Sequence, residues 1–225
     1  PNHHFNGMIS PLALREGLRW FDVHLHGNTQ ARRVRPVQLY VMGINQWRAL
    51  KDFPPSARPA LLYLGAGRSL TRAQSDESES FDCYVYDPTD PTPILGGNQF
   101  NPRAGAKDNR PLERRSDVLT YTSEALTSPV EIIGTGRVTL YAHSSVDHTD
   151  FFARLCDVYP DGRSINICDG FVRVTPERVS RLPDGTQCIE IDLWATAYHL
   201  KRGHRIRLLL ASGAHPRWAR NLGTG

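Results

Sequence analysis

The sequence predicts a mainly β protein, a β-sandwich or jelly roll preceded by a single helix–strand unit. From about residue 58 onward, short segments rich in β-branched and aromatic residues alternate with turn residues, which is typical of such folds. The 225 residues include 18 glycines and 16 prolines, and these residue types favour short strands and turns over long helices. One run with helical periodicity lies ahead of the β-rich part.

The first element is a helix predicted over residues 9–26. Four apolar residues recur at spacings of four, three and four, which places them on one helix face: Leu14, Leu18, Phe21 and Leu25. Ser10 can cap the helix and Pro11 occupies the first helical position, where both residue types are common. Gly27 is expected to end the helix.

A compact apolar run at residues 37–42, ending at Gly43, predicts the second element. Preceded by a helix, it is typical of a buried strand in an α/β layer. One helix–strand unit cannot bury itself, because a lone strand leaves both edges unpaired. We therefore expect residues 1–57 to be the last piece of a sheet whose other strands lie outside this chain.

The β-rich part, residues 58–225, is expected to contain about ten short strands. Their predicted positions are 61–64, 83–86, 118–122, 130–133, 137–142, 151–158, 165–168, 171–175, 187–193 and 204–212. Glycine-containing turns are predicted between several of them, including turns at 134–136, 160–162, 169–170 and 183–185. Residues 189–193 alternate apolar and acidic side chains, so this strand should have one face in water.

Charge and hydropathy argue against two classes of partner. The formal net charge is +4, but the basic residues are scattered instead of forming the stripe with interleaved aromatics that a nucleic-acid interface needs. No apolar run approaches the ~20 residues that a membrane-spanning helix requires. We therefore expect neither a nucleic acid nor a membrane as a partner.

The four cysteines, Cys83, Cys156, Cys168 and Cys188, do not form a C-x-x-C pair or a zinc-binding spacing. Three of them lie in strand-like runs, where cysteine commonly acts as a small core hydrophobe. Disulfides are compatible with the sequence but not indicated by it. This cysteine usage favours a reducing compartment such as the cytoplasm.

Several other residues are site candidates by their chemistry. Asp147, His148 and Asp150 suggest a metal pair or an acid/base site. No further His or Cys lies nearby at ligand spacing, so we expect no metal and no cofactor. His199 and His204 flank a Lys-Arg-Gly turn and are expected at the surface. Trp47 and Trp218 indicate core or interdomain packing, with a stacked sugar as the alternative.

Motifs distributed along the chain resemble those of the CocE/NonD family of serine hydrolases, the cocaine esterase and X-Pro dipeptidyl-peptidase type. The motifs occur in the order of the family and cover nearly the whole chain: Trp20-Phe21-Asp22, residues 41–48, Tyr86-Asp87-Pro88 with Gly96-Gly97, residues 117–123, residues 157–162 and residues 203–208. The chain is thereby identified as the C-terminal portion of such a hydrolase.

This resemblance implies an α/β-hydrolase domain followed by a galactose-binding-like jelly roll, and acyl transfer by a Ser-His-Asp triad. Residues 1–57 would be the remnant of the hydrolase domain, and residues 58–225 the jelly roll, truncated at its end. The family's nucleophile elbow and triad aspartate lie upstream of this sequence. The triad histidine falls immediately before Pro1 or, as the alternative, at His3 or His4.

The resemblance therefore implies a parent enzyme that cleaves small esters or peptides in its catalytic domain. The fragment alone should be inactive, and a homodimer is compatible with this reading. The alternative is a different class of protein: a carbohydrate-binding module, or a structural or dimerisation module, built on the same β-sandwich.

Overall fold

A computed structural model of the chain describes residues 9–74, 81–99 and 102–224. It contains two helices, α1 (Ile9–His24) and α2 (Arg110–Glu113). Its eleven strands are β1 (Val37–Val41), β2 (Gln46–Leu50), β3 (Tyr63–Gly65), β4 (Ser69–Thr71), β5 (Val118–Thr122), β6 (Val130–Ala142), β7 (Thr149–Val158), β8 (Ser164–Val174), β9 (Ser180–Arg181), β10 (Gln187–Leu200) and β11 (Arg205–Ala211). The mainly β class predicted from the sequence is confirmed.

The strands form three sheets within the described residues. The largest has six strands in the order β3-β4-β5-β11-β7-β8, the second has three in the order β6-β10-β9, and β1 and β2 form a separate hairpin. All neighbours are antiparallel except β4 and β5. The C-terminal strand β11 lies in the interior of the large sheet, between β5 and β7.

The main core lies between the six-stranded and three-stranded sheets. Apolar side chains that alternate along β10 contribute Ile189, Ile191 and Leu193, which face side chains such as Ile167 and Leu208 from the large sheet. Such alternation places every second residue on one sheet face. The two sheets therefore pack face to face around one shared apolar layer.

A second apolar cluster covers the opposite face of the six-stranded sheet. Its buried members are Leu112, Val118, Phe152, Leu209, Ala211 and Ala214, and Trp218 packs against them. Because both faces of the sheet are covered, β7 is buried along nearly its whole length. Polar side chains on this outer face must therefore find partners inside the protein.

The hairpin β1–β2 differs from the expectation of a strand without a partner in this chain. β1 pairs with β2 over its whole length, from Val37 opposite Leu50 to Val41 opposite Gln46. β2 was not predicted from the sequence, because the reversal depends on Gly43 and Asn45, which adopt φ values of 85° and 57°. Asparagine tolerates this left-handed region better than most residues, so two positions together turn the chain.

The hairpin also contacts the second sheet. The Met42 amide donates to the Ala197 carbonyl at 2.9 Å, and the His199 amide donates to the Met42 carbonyl at 2.9 Å. These bonds join the predicted hydrolase remnant, residues 1–57, to the predicted jelly roll, residues 58–225. The domain boundary between residues 57 and 58 stays a prediction.

Two of the predicted glycine turns are instead strand interior. Gly134 lies in β6 and Gly170 lies in β8, so 130–133 and 137–142 form one strand and 165–168 and 171–175 another. A Cβ at Gly170 would overlap the Asp192 carbonyl oxygen of β10. Glycine is needed there because two backbones approach closely, and not because the chain turns.

Residues 83–86 were predicted as a strand, but they form no strand in the structure, and Cys83 is exposed. The segment is held by side chains: the Tyr84 hydroxyl lies 2.7 Å from the Ser212 hydroxyl.

No helix among the described residues is long and apolar enough to span a bilayer.

Candidate functional site

The candidate triad histidines, His3 and His4, lie outside the described residues. The serines with glycine neighbours in the sequence, Ser69 and Ser212, lie at the start of β4 and directly after β11. Their hydroxyls bond the Ala66 carbonyl and the Tyr84 hydroxyl. Neither serine stands between a strand and a helix, which is the context of a nucleophile elbow.

A buried Asp–His pair does exist, and it corrects the surface position expected for His204. The His204 imidazole is 7% exposed, and its Nδ1 lies 2.8 Å from Asp157 Oδ1. The Tyr198 hydroxyl donates to Asp157 Oδ2 at 2.9 Å, and the Tyr159 ring packs on the imidazole with centroids 4.4 Å apart. No serine hydroxyl is among the hydrogen-bond partners described for this imidazole, so the pair joins strands and lacks the nucleophile of a triad.

The acidic residues around His148 are occupied by arginines. Asp147 accepts from Arg181 at 2.7 Å, and the buried Asp150 accepts two bonds from Arg173 at 2.9 Å. Within residues 9–74, 81–99 and 102–224, no group of three or more metal-ligating side chains is close enough to hold an ion.

The most unusual buried group is the guanidinium of Arg154, on the outer face of β7. It is fully buried and donates to the Asn109 side-chain oxygen at 2.7 Å, to Asp169 Oδ2 at 2.7 Å and to the Leu95 carbonyl. A buried charge persists only with partners of this kind. Arg154 therefore ties the loop around Leu95 and the turn at Asn109 to the sheet.

Asp169 is shared between two arginines. Its Oδ1 accepts from Arg217 at 2.6 Å, and Arg217 in turn lies over the Trp218 ring, 4.1 Å from the centroid. Two guanidinium groups with one carboxylate leave this cluster with one surplus positive charge. The Nε of Arg154 has no hydrogen-bond partner among the described groups.

The loop that follows Leu95 rests directly on this cluster. A Cβ at Gly97 would lie 2.6 Å from Asp169 Oδ2 and 2.8 Å from Arg154 Nη2, which is closer than side chains allow. Gly97 also has a φ of 86°, which favours glycine. Gly96 and Gly97 therefore belong to a loop whose backbone packs directly on the ion pair between Arg154 and Asp169.

A cleft of ≈ 590 Å³ opens beside this cluster, next to the outer edge of β8, part of which pairs with the segment around Asp108. Its walls come from the hairpin region, the loop after Gly97, β8 and β10, and its lining includes Tyr40, Phe53, Asp169, Trp194, Thr196 and Arg217. A cleft of this size, apolar with a few polar groups, fits a small ligand.

Trp194 stands at a bulge of β10, where the pairing with β6 shifts between Asp192 and Ala195. Its φ is 66°, an unusual value for a bulky residue. The amide of Trp194 donates to Asp192 Oδ1 at 2.7 Å, which supports this geometry. The bulge therefore presents an aromatic ring that is 63% exposed at the cleft.

Two further side chains in the lining define the chemistry of the cleft. Thr196 is buried, and its hydroxyl oxygen has no hydrogen-bond partner among the described residues. Burial raises the pKa of the Cys168 thiol to about 12, so this sulfur is protonated near neutral pH and is a poor nucleophile. The cleft therefore offers an unpaired hydroxyl and a neutral thiol.

The helix α1 carries a second feature of interest, an apolar face without a partner among the described residues. The side chains that share this face are at least half exposed: Leu14, Leu18, Phe21 and Leu25. The neighbouring Trp20 is also 56% exposed. Apolar helix faces are normally buried, and contiguous exposed apolar patches mark interaction surfaces.

Neither the buried Arg154 nor the cleft was predicted from the sequence. Arg154 stands inside a run of strand residues, and an arginine in a run that is otherwise apolar is the one available signal for it. Trp194 lies after an alternating strand, but no sequence feature indicates the bulge that exposes it.

Comparisons with known proteins agree with this architecture. The family model for the X-Pro dipeptidyl-peptidase C-terminal non-catalytic domain matches residues 29–225. The chain is 41% identical over 224 residues to the cocaine esterase of Rhodococcus sp. (strain MB1 Bresler), covering 92% of this chain and 39% of that protein.

Two solved structures share the fold. An aminopeptidase from a marine sediment Thaumarchaeota archaeon superposes with a TM-score of 0.82 at 23% identity, covering 100% of this chain and 40% of that one. An alpha-amino acid ester hydrolase gives a TM-score of 0.76 at 26% identity, covering 92% and 38%. The chain thus spans about two fifths of the length of these relatives.

Proposed function

The chain belongs to the family of X-Pro dipeptidyl-peptidase C-terminal non-catalytic domains, and from this premise we propose that it is the non-catalytic domain of a serine hydrolase that cleaves esters or amides. The similarity to an esterase and to an ester hydrolase supports this class of reaction. The Ser-His-Asp triad is supplied outside the described residues, with the histidine just before Pro1 or at His3 or His4.

In this proposal the domain has a mechanical role: it packs against the catalytic domain and helps to wall its acyl pocket. The observation that carries the proposal is the exposed apolar face of α1, formed by Leu14, Leu18, Phe21 and Leu25. This helix precedes the matched residues 29–225, and in the proposal it belongs to the α/β-hydrolase domain and packs against the rest of that domain, which anchors the β-sandwich to it. Each leucine-sized side chain that becomes buried stabilises an interface by about 1.5–3 kcal/mol before the costs of ordering. A face of four such residues is well suited to hold a catalytic domain.

The test compares Leu18→Glu with Arg19→Gln on the same helix, each in the isolated chain and in the parent hydrolase. Because Leu18 is 61% exposed here, we expect Leu18→Glu to change the unfolding free energy of the isolated chain by less than about 0.5 kcal/mol. In the parent hydrolase it should lower the melting temperature and kcat/KM, whereas Arg19→Gln should change neither. Wild-type behaviour of Leu18→Glu in the parent would contradict the docking role.

Several finer assignments belong to the same proposal. The two packed sheets are proposed to be a galactose-binding-like jelly roll that begins near residue 58, with residues 1–57 contributed by the α/β-hydrolase domain. The four cysteines are free thiols, which supports a reducing compartment such as the cytoplasm. The proposed substrate of the parent hydrolase is a small ester or peptide. A homodimer is compatible with the fold. Neither a nucleic acid nor a membrane is proposed as a partner.

A further inference from the structure

We propose that residues 81–86 form a docking strand, which an extended apolar segment of the parent hydrolase outside residues 1–225 covers by β-pairing. The proposal rests on the proposed function, because it takes the parent hydrolase as the source of that segment. Two observations carry it: the side chains of residues 81–86 alternate between the protein and the surface, and their backbone is open to pairing.

The inward side chains hold the segment in place. Tyr84 packs against the main core, and Asp82 accepts a hydrogen bond from the Tyr121 hydroxyl at 2.8 Å. A Cβ at Gly213 would lie 3.1 Å from the Tyr86 ring, so this ring packs closely on the backbone that follows β11. Every second residue thus contacts the protein, which is the alternation of a strand.

The outward side chains form an apolar ridge: Phe81, Cys83 and Val85. Phe81 is 87% exposed and Val85 is 84% exposed, and Cys83 between them is an exposed free cysteine. None of the three carries a formal charge at neutral pH. Contiguous exposed apolar side chains mark interaction surfaces, and a surface that covers this ridge must itself be apolar.

The backbone of the segment can accept a neighbouring strand. Among the described residues, no backbone hydrogen bond joins residues 81–86 to another segment. The sequence predicts a strand at 83–86, but a strand requires a neighbour that supplies the ladder of hydrogen bonds. Unpaired N–H and C=O groups on an extended segment are a template for pairing. A peptide that adds to such an edge gains main-chain hydrogen bonds and side-chain contacts together.

The small area of the ridge favours a segment of the same molecule over a second copy. An aromatic side chain buries about 150–250 Å², and the ridge has one such side chain and two smaller ones. Two copies that met at their ridges would therefore bury less than the about 1,200–2,000 Å² of a stable interface. A tethered segment binds at a high effective concentration and needs less area. This chain spans about two fifths of the length of its relatives, so the greater part of such a parent lies outside it.

The experiment measures the rate at which iodoacetamide alkylates Cys83, by mass spectrometry of its peptide, in the 225-residue chain and in the parent hydrolase. We expect Cys83 to react in the isolated chain and at least about tenfold more slowly in the parent, where the paired segment covers it. Two other cysteines are internal references. Burial raises the pKa values of Cys156 and Cys168 to about 12, so both should react slowly in either protein.

Val85→Asp tests the ridge, and Val34→Asp is the matched control, because Val34 is 95% exposed and lies outside the ridge. In the isolated chain neither variant should shift the melting temperature, since both side chains are exposed. In the parent hydrolase, Val85→Asp should restore most of the reactivity of Cys83 and should speed hydrogen exchange at the amides of residues 81–86. Val34→Asp should leave both as in the wild type.

The proposal is overturned if Cys83 reacts as fast in the parent hydrolase as in the isolated chain, or if Val85→Asp leaves its protection unchanged. Protection of Cys83 without slower exchange of the amides of residues 81–86 would contradict the pairing. Protection in the isolated chain that grows with protein concentration would assign the ridge to a second copy and overturn the proposal as well.

The same measurements separate this proposal from the proposed function. A parent that hydrolyses esters while Cys83 reacts freely would contradict the docking strand alone. A parent that hydrolyses neither esters nor amides, yet protects Cys83, would contradict the proposed reaction and support the docking strand.

Discussion

Arg154 shows how one residue can fix both a sheet and the loops above it. Its guanidinium is fully buried and reaches Asp169 on the neighbouring strand, Asn109 at the start of α2 and the Leu95 carbonyl. Such a group is costly to desolvate. It is retained here because its hydrogen bonds hold segments that are about 45–60 residues away in sequence.

Arg154→Met tests this role. The substitution leaves the Leu95 carbonyl and the Asn109 side-chain oxygen without their donor, and it removes one partner of Asp169, so we expect a loss of about 3 kcal/mol in the free energy of unfolding. Urea denaturation followed by circular dichroism measures it. The control is Arg137→Met, whose pair with Glu190 is more than half exposed and which should cost less than about 0.5 kcal/mol. Equal losses for the two variants would argue against the role of Arg154.

Sequence patterns predicted the burial of individual polar side chains poorly. His204 flanks a charged turn, which predicts a surface position, yet Asp157 and Tyr159 enclose it in the structure. Cys83 stands in a strand-like run but is exposed. Burial of a single polar side chain depends on partners far away in sequence. Asp157 and His204, for example, are 47 positions apart, and local patterns do not contain that information.

Among the elements, the hairpin β1–β2 is joined to the second sheet by one ion-pair cluster. Arg48 of β2 donates two bonds to Glu131 of β6, at 2.6 and 2.7 Å, and His199 of β10 lies 2.9 Å from the same carboxylate. The hydrogen bonds from Arg48 and then from His199 lower the pKa of Glu131 to about 2. The contact therefore depends on an ionised carboxylate.

This attachment should weaken in acid. A carboxylate whose pKa is lowered by folding stabilises the folded state above its ordinary value of 4.5, and this contribution is lost as the pH falls through about 2. We expect the protection of the Met42 and His199 amides against hydrogen exchange to decrease between pH 5 and pH 2. Glu131→Gln should show lower protection already at pH 5 and little further change. Constant protection in the wild type would contradict the prediction.

The strands themselves were the most predictable elements. Residues 118–122 form β5 with the predicted bounds, and the alternation at residues 189–193 marks the inward face of β10, because apolar periodicity reports directly which face is buried. Bulges and close backbone contacts were not predictable. Gly134 and Gly170 resemble turn glycines in sequence, and only their pairing with Thr196 of β10 and Ala153 of β7 shows that they are strand residues.

Gly170→Ala tests the close contact between β8 and β10. A methyl group there would overlap the Asp192 carbonyl oxygen, so the two strands must move apart, and we expect a loss of about 2–3 kcal/mol in the free energy of unfolding. The matched control is Gly17→Ala in α1, where a Cβ would meet nothing within 4 Å and where alanine favours the helix. A cost for Gly170→Ala as small as that of the control would show that the strands adapt.

At the scale of the whole molecule, the chain is a folded scaffold with an open cleft and an exposed apolar helix face. Ser69, Ser212 and His204 make structural hydrogen bonds, and the cleft contains the protonated thiol of Cys168. The family and the mainly β class could be predicted from motifs and turn spacing. The cleft could not, because segments distant in sequence form it, from the hairpin region to Arg217.

The isolated chain should therefore not hydrolyse p-nitrophenyl acetate or p-nitrophenyl butyrate above the rate of the buffer. A double His3→Ala, His4→Ala variant serves as the control, and the wild-type chain should be indistinguishable from it in a continuous absorbance assay. Turnover that co-purifies with the chain and persists in the double variant would mean that the argument from the missing elbow is wrong.

The interior position of β11 has a consequence for biosynthesis. In the six-stranded sheet, β5 and β7 do not touch each other, and each pairs with β11, which is translated after both. On the ribosome, the large sheet therefore cannot assemble until residues 205–211 have left the exit tunnel, and until then two apolar strands have open edges. The nascent chain is expected to need protection by chaperones up to that point, and a premature stop before residue 205 should yield an aggregating product.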